Sequence, residues 1–181
     1  MSTTAVTTGT WALDPSHTEI GFTVRHLVSK VRGKFETFEG TITSAGDVTS
    51  SSVNVSVDLA SVNTGTADRD AHLRSGDFFN AEENPKMTFV STGIVEKGDG
   101  EFVVTGDLTI KGTTKSVDLA TEFLGEGGDP WGGTRVGLEA STTISRKDFG
   151  IDFNIPVDGA DKLMIGDKIT ITIVAEAVLQ A

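Results

Sequence analysis

The sequence predicts an all-β protein, a closed antiparallel barrel with a hollow apolar interior. Three observations carry that expectation. The first is period-two alternation, as in Phe102, Val104, Gly106, Leu108, Ile110, then Val117, Leu119, Thr121, Phe123, then Val136, Leu138, Ala140, Thr142, Ile144, and finally Ile169, Ile171, Ile173, Ala175, Ala177. Alternation of this kind gives each strand one buried and one wet face, and closing the sheet turns the buried face inward. The second is a loss of bulk in mid-strand, at Gly106, Thr121, Ala140 and Ala175, which leaves an interior short of filling. The third is the tight turn chemistry of Gly98-Asp99-Gly100 and Lys111-Gly112-Thr113-Thr114 between such runs. The same alternation also fits a filled eight-stranded barrel whose large residues match the small ones across the interior.

Taken in order, residues 1–9 are Ser/Thr-rich and read as a mobile tail, and residues 10–181 form one barrel domain. Trp11 and Leu13 open an extended segment that breaks at Asp14-Pro15-Ser16. Ile20, Phe22, Val24 and His26 share one side of the next strand. A long strand is expected over 31–43, where Phe35, Phe38 and Ile42 change parity and so mark a bulge or bend. Val53, Val55, Val57 and Leu59 make a strand. Residues 66–75 carry acids early, Arg74 late and Gly76 as a stop, the pattern of a short helix. That helix and a helical turn at 81–84 are expected to cap one end of the barrel. Strands resume at 87–95, 101–111, 116–124, 135–145 and 166–179. A hairpin loop at 125–133 carries Trp131, and a longer loop covers 146–163.

Composition bounds the function. With 181 residues the chain suits one domain. A net charge of −11 argues against nucleic-acid binding, which needs clustered Lys and Arg, and against docking on anionic lipid through a basic patch. The chain has no Cys, so disulfides, thiolate metal sites and Cys nucleophiles are excluded. No run reaches the ~20 apolar residues of a membrane helix, so stable membrane insertion is not expected. The first nine residues lack the features of a secretory signal, so a cytoplasmic location is the expectation. A homodimer is compatible with this surface.

Few residues suggest chemistry. The three histidines, His17, His26 and His72, have no metal-ligand spacing, and no metal is expected. Ser16 and His17 beside Asp14 resemble a triad in composition only, since adjacent residues in a turn do not easily adopt the hydroxyl–imidazole bond that nucleophile activation needs; Ser16 is better placed to organise the turn. The cluster Arg69, Asp70, His72, Arg74, Asp77 reads first as a solvated helix face, with Leu73 and Phe78 turned to the barrel. Gly125-Glu126-Gly127-Gly128 is a hairpin tip, because no helix follows it and its acids repel phosphate. Asp158 and Asp161 lack the further oxygen ligands of a calcium loop.

Four motifs add a resemblance. Trp11-Ala12-Leu13-Asp14-Pro15-Ser16-His17-Thr18 leads into Ile20-Gly21-Phe22-Thr23-Val24-Arg25-His26. Arg69-Asp70-Ala71-His72-Leu73-Arg74-Ser75-Gly76-Asp77-Phe78-Phe79-Asn80 follows, with Asn84-Pro85 and Phe89 after it. Gly106–Lys115 and Ser145-Arg146-Lys147-Asp148-Phe149-Gly150-Ile151 complete the set. Over roughly residues 10–180 the chain resembles the YceI-like family. The resemblance implies an extended eight-stranded lipocalin-like barrel that binds a polyisoprenoid chain inside, and hence a carrier of a prenyl quinone or polyprenyl phosphate rather than an enzyme. Many members of that family are secreted with a signal peptide, from which this chain departs.

Strands of ~11 residues are ~37 Å long, and a tilt of ~40° leaves a barrel about 28 Å tall, room for several isoprene units. The expected apolar lining is Phe22, Val24, Phe35, Phe38, Met87, Phe89, Phe102, Val104, Phe123, Leu138, Ala140, Ile171 and Ala175. His26, Arg69, His72 and Arg74 are the candidates to meet a polar head group. No cofactor is expected beyond a bound prenyl lipid. The rival readings are an enzyme on a small apolar substrate, which requires titratable groups converging inside the cavity, and a stress-related scaffold with no lipid, which requires a packed interior.

Overall fold

The computed structural model describes residues 4–157 and 163–181. Its strands are β1 (Gly9–Leu13), β2 (Glu19–His26), β3 (Ser29–Phe35), β4 (Phe38–Ser44), β5 (Ser52–Asp58), β6 (Val62–Asn63), β7 (Lys86–Gly98), β8 (Glu101–Ile110), β9 (Thr113–Gly128), β10 (Thr134–Ser145) and β11 (Ile165–Leu179), with one α-helix, α1 (Ala67–Arg74), among the described residues. Every pairing is antiparallel. From β4 the sheet runs through β5, β7, β8, β9, β10 and β11, and β1 closes it by pairing with both β11 and β4. This is a closed eight-stranded barrel, in which β1 and β2 share one stave and β3 and β4 the next.

Two staves are interrupted, and side chains repair both breaks. Pro15 has no N–H and starts a short 3₁₀ turn at Pro15–His17, whose first turn is capped by Asp14 accepting from the Ser16 amide. Where the ladder to β11 lapses, the Thr18 hydroxyl both donates to the Glu176 carbonyl and accepts from the Glu176 amide, each at 3.2 Å. The strand expected over 31–43 is two strands, broken at Glu36 and Thr37. Their amides donate instead to the Ser61 carbonyl at 3.2 Å and the Ser61 hydroxyl at 3.0 Å. The parity change between Phe35 and Phe38 is this break.

Residues 4–8 correct the expectation of a mobile tail. The Val6 amide donates to the Gly46 carbonyl, the Val48 amide donates to Thr4, and the Thr7 hydroxyl donates to Glu126 at 2.6 Å. Val6 is buried beside Trp11. Two adjacent apolar residues, Ala5 and Val6, in a polar run carry no period, so the docking had no signature in the sequence.

The mid-strand glycines are only partly vacant. A Cβ on Gly106 would lie 2.4 Å from the Phe89 ring, and one on Gly33 would lie 2.4 Å from the Phe22 ring. Two of the interior gaps are therefore filled by an aromatic side chain from the neighbouring strand. The hollow lies elsewhere. Inward residues of β8 such as Val104 and Leu108 are buried, whereas Val117, Leu119, Ile169 and Ile171, which also point inward, remain half-exposed. Inward side chains that still touch solvent-sized space define an open interior.

Candidate functional site

Two apolar chambers occupy the barrel. The outer one, about 430 Å³, lies under α1 and is walled by β2, β3, β11 and the segment after β10. The inner one, about 120 Å³, is enclosed by β4, β5, β7, β8, β9, β10 and β11. Ile20, Met87 and Ile171 border both, so the chambers abut end to end. Beyond the inner chamber lies a packed cluster around Trp11, which is 0% exposed and groups with Ile42, Val136 and Ala177, and Ile42 is also part of the chamber wall. An outer chamber of this size falls in the range of small-molecule sites.

Most of the expected lining meets a chamber. Phe22, Val24 and Phe35 border the outer one; Met87 and Ile171 border both; Phe89, Val104, Leu138, Ala140 and Ala175 border the inner one. Three expected residues border neither. Phe38 follows the break at 36–37 and faces a surface cleft with His17 and Lys34. Phe123 belongs to the Trp11 cluster, and Phe102 is buried away from both chambers. Among the head-group candidates, His26, Arg69 and His72 border the outer chamber. Arg74 does not, because Asp68, Arg69, His72 and Leu73 make up the inward face of α1 at helical spacing and Arg74 falls off it.

The helix is fixed by side-chain hydrogen bonds. Asp70 is buried and accepts from the Thr64 amide at 2.8 Å and the Thr64 hydroxyl at 2.6 Å. It belongs to the fold rather than to a solvated face. Arg69 donates to the Thr64 hydroxyl and carbonyl at 2.7 and 2.9 Å. The His72 Nε2 lies 2.8 Å from the Asp77 carboxylate, and the ring stands edge-on to Phe78 and Phe153 with centroids 4.9 and 5.0 Å apart.

Nothing in the sequence marks Arg146 as a site residue. Its side chain is 3% exposed and borders the outer chamber together with Phe149, Ile151, Met164 and Ile165. Its guanidinium donates to the carbonyls of Gly166, Ile151 and Phe153 at 2.9, 2.9 and 2.8 Å. Among the described residues no carboxylate pairs with it. Burial therefore pulls its pKa down, eased only by the more distant Asp167 and Asp152. A buried cation solvated by peptide carbonyls keeps a positive potential at the chamber wall. The alternation of Phe149, Ile151 and Phe153 hinted at burial here. Ile151 and Phe153 are local acceptors, five and seven residues on, but the Gly166 carbonyl comes from twenty residues on, which no local pattern reveals.

The polar cluster at Asp14 is an ion-pair network. Asp14, His17 and Glu176 bring potential ligand atoms within 4.8 Å of one another. Arg135, however, already holds Asp14 at 2.7 Å and Asp129 at 2.8 Å, and lies 3.9 Å from Glu176. Arg135, followed by Ser16 and His17, holds the Asp14 carboxyl well below the usual carboxylate range. The Ser16 hydroxyl and the Asp14 carboxylate both approach the same His17 nitrogen, Nδ1, at 3.1 and 2.9 Å. A catalytic triad needs them on opposite nitrogens, so this arrangement is no nucleophile–base pair. Asp158 and Asp161 lie outside the described residues.

Comparison with known proteins agrees with this architecture. The model of the YceI-like domain matches residues 11–177. A UPF0312 protein of Vibrio vulnificus is 44% identical over 146 residues, spanning 80% of this chain and 75% of that protein. The crystal structure of a Campylobacter jejuni YceI protein superposes with a TM-score of 0.71 at 31% identity, covering 93% of this chain and 96% of that one. Burkholderia cenocepacia BcnA superposes with a TM-score of 0.79 at 21% identity, covering 91% and 98%. A polyisoprenoid-binding domain from Saccharophagus degradans, at 16% identity and a TM-score of 0.69, shares the fold over 94% of this chain and 98% of that one. With the family model spanning nearly the whole barrel, and relatives more than two-fifths identical over most of it, this chain belongs to the YceI-like family.

Proposed function

We propose that the protein carries a single isoprenoid lipid, a prenyl quinone or a polyprenyl phosphate, with its tail in the two chambers and its polar end under α1. One observation carries the reading: the cavity is apolar along its length, with the packed Trp11 cluster beyond its inner end, and cationic where it opens. Arg25, His26, Arg69, His72 and Arg146 border the outer chamber, against Asp68 as its one carboxylate among the described residues. The inner chamber offers only threonine hydroxyls as polar groups. Such walls read length and shape, at about 0.8 kcal/mol per buried methylene, and leave the polar end to be met at the mouth. The polyisoprenoid-binding neighbour supports the same ligand class. The rival enzyme reading needs convergent titratable groups deep in the cavity, and the scaffold reading needs a packed interior; the walls described above favour neither.

The test is to extract purified protein with organic solvent, identify the lipid by mass spectrometry, and titrate prenyl quinone and polyprenyl phosphate while following thermal unfolding. Ligand at a hundred times its Kd adds about 2.7 kcal/mol, which for a chain of this size raises Tm by roughly 5–10 °C. A lipid-free extract together with an unmoved Tm would overturn the carrier reading.

A further inference from the structure

The β2–β3 hairpin gathers cations in an acidic chain. From Thr23 to Lys34 there is no Asp or Glu, while Arg25, Lys30, Arg32 and Lys34 all fall there. In the ladder Arg25 faces Lys30, Thr23 faces Arg32 and Gly21 faces Lys34. Ile20, Phe22 and Val24 alternate with these positions and point inward, so all four cations stand on the outer face, where all four are exposed, and Arg25, at the rim, also borders the outer chamber. Lys168, exposed on the adjoining β11, sits two residues before Thr170, the partner of Thr23, and extends the strip. The nearby Asp167 carboxylate is taken up by the Ser145 hydroxyl at 2.6 Å and the Lys147 amide at 3.2 Å, and Asp152 is an exposed acid of the same end.

The tip of this hairpin is apolar. Leu27, in the left-handed region at φ 50°, and Val28 make the turn, and Val28 is 96% exposed. Asn and Gly are the usual residues for such a turn, so two aliphatic side chains there need a reason. The Leu27 amide donates to the Met164 carbonyl at 2.9 Å, and the Met164 amide donates to Ile155 at 2.9 Å. Leu27, Val28, Ile155 and Leu163, all exposed, thus form one apolar patch. It rims the outer chamber, whose wall includes Val24, Arg25, His26, Met164 and Ile165. Cations on an edge strand such as β3, whose outer side meets only β6 at Lys34 and Phe35, discourage sheet-to-sheet pairing. That role accounts for Lys30 and Arg32 but not for the aliphatic tip.

We propose that this cation-flanked apolar tip docks the protein on the surface of an anionic lipid bilayer, mouth toward the lipid. Net charge alone argues the other way: at −11 the molecule as a whole is repelled by an anionic surface, so docking rests on the local cation strip, and the charge distribution then selects the orientation. Valine and leucine side chains then enter the interfacial layer beneath the flanking cations, the arrangement of peripheral lipid-binding surfaces.

The experiment sediments the full chain with vesicles of phosphatidylcholine, with and without phosphatidylglycerol, at low and physiological salt. Binding is expected to phosphatidylglycerol-containing vesicles, weakened by salt. Lys30→Ala with Arg32→Ala should cut partitioning about fivefold per residue, and Val28→Ser should lower it further with the far-ultraviolet circular dichroism unchanged. None of these three side chains borders a chamber, so lipid uptake from detergent solution is expected to survive in all variants. Loss of vesicle binding with uptake intact therefore separates docking from the carrier reading. No sedimentation with phosphatidylglycerol, equal sedimentation with both vesicles, or insensitivity to the variants would overturn the proposal. So would a concentration-dependent dimer abolished by Val28→Ser in a protein that ignores vesicles, which would make the tip a self-association face.

Discussion

Arg135 ties together three parts of the chain that are far apart in sequence. Its Nε donates to Asp129 at the β9–β10 turn and its Nη1 to Asp14 at the break between β1 and β2, with Glu176 of β11 close by. Asp129 also caps its own turn by accepting from the Trp131 and Gly133 amides at 2.9 and 2.8 Å. Both carboxylates are held below their ordinary range, with the bond to Arg135 the largest cause in each. A carboxylate with a depressed native pKa contributes stability that is present above its unfolded pKa, near 4, and lost as pH falls through the native value. Arg135→Ala removes that cause, so the variant should be less stable than the wild type at pH 7, with the gap beginning to narrow below about pH 4 and closing only as pH falls through the lower native values. Denaturant unfolding at pH 7, 5 and 3 measures the gap, with carboxyl NMR following Asp14 upward in the variant. A gap independent of pH would mean that Arg135 acts through packing alone.

At the scale of the element, α1 is eight residues long, marginal as an isolated helix. Its hold on the barrel comes from Phe78 and Phe79, which follow it, from Leu73, from the Asp70–Thr64 bonds and from the contact of His72 with Phe153. Phe79 reaches Phe35 of β3 with ring centroids 5.9 Å apart. Much of the helix remains exposed, and elements held by a few side chains are the ones that open locally. Filling the outer chamber adds contacts beneath Arg69, His72 and Leu73. Amide exchange over residues 67–79 should therefore slow on saturation with prenyl quinone while β8 amides stay unchanged. Equal exchange with and without ligand would reduce α1 to a passive connection between β6 and β7. Its existence was legible from the acids, Arg74 and Gly76, but the burial of Asp70 was not, because Thr64 reaches it only once the chain has turned at Gly65, where φ is +85°.

For the whole molecule, the depth of the cavity sets which chains fit. Ala140 and Ala175 face each other's neighbourhood across β10 and β11, where Leu138 pairs with Ala175 and Ala140 with Ile173, and both alanines border the inner chamber. Ala140→Phe and Ala175→Leu should obstruct that chamber, at a stability cost of about 1–3 kcal/mol if the walls must yield. Excluding even two methylenes weakens a long tail more than tenfold, at ~0.8 kcal/mol each, whereas a ligand short enough to stay in the outer chamber is spared. Fluorescence titration with short- and long-tailed quinones measures the difference. Equal loss for both would place the small residues outside the ligand path.

Period-two alternation determined the barrel, most of its strand limits and the inward set Phe22, Val24, Phe35, Met87, Phe89, Val104, Leu138, Ala140, Ile171 and Ala175, because side-chain direction in a strand is a local property of the backbone. Four quoted motifs determined the family. The tertiary structure alone decided which inward residues meet empty space. Gly106 is small in sequence, yet its gap is filled by Phe89 from the neighbouring strand. Phe102 and Phe123 have the right parity but lie beyond the cavity, and Trp11, one aromatic in a short strand, belongs to the packed cluster past the inner chamber. The cation beneath the mouth, Arg146, and the apolar patch around Val28 were likewise decided in space. Their partners, Gly166 for the one and Met164 and Ile155 for the other, arrive from segments whose position follows from how β11 closes the barrel. Facing along a strand is set by neighbours in sequence; void, charge burial and surface continuity are set by neighbours across the fold.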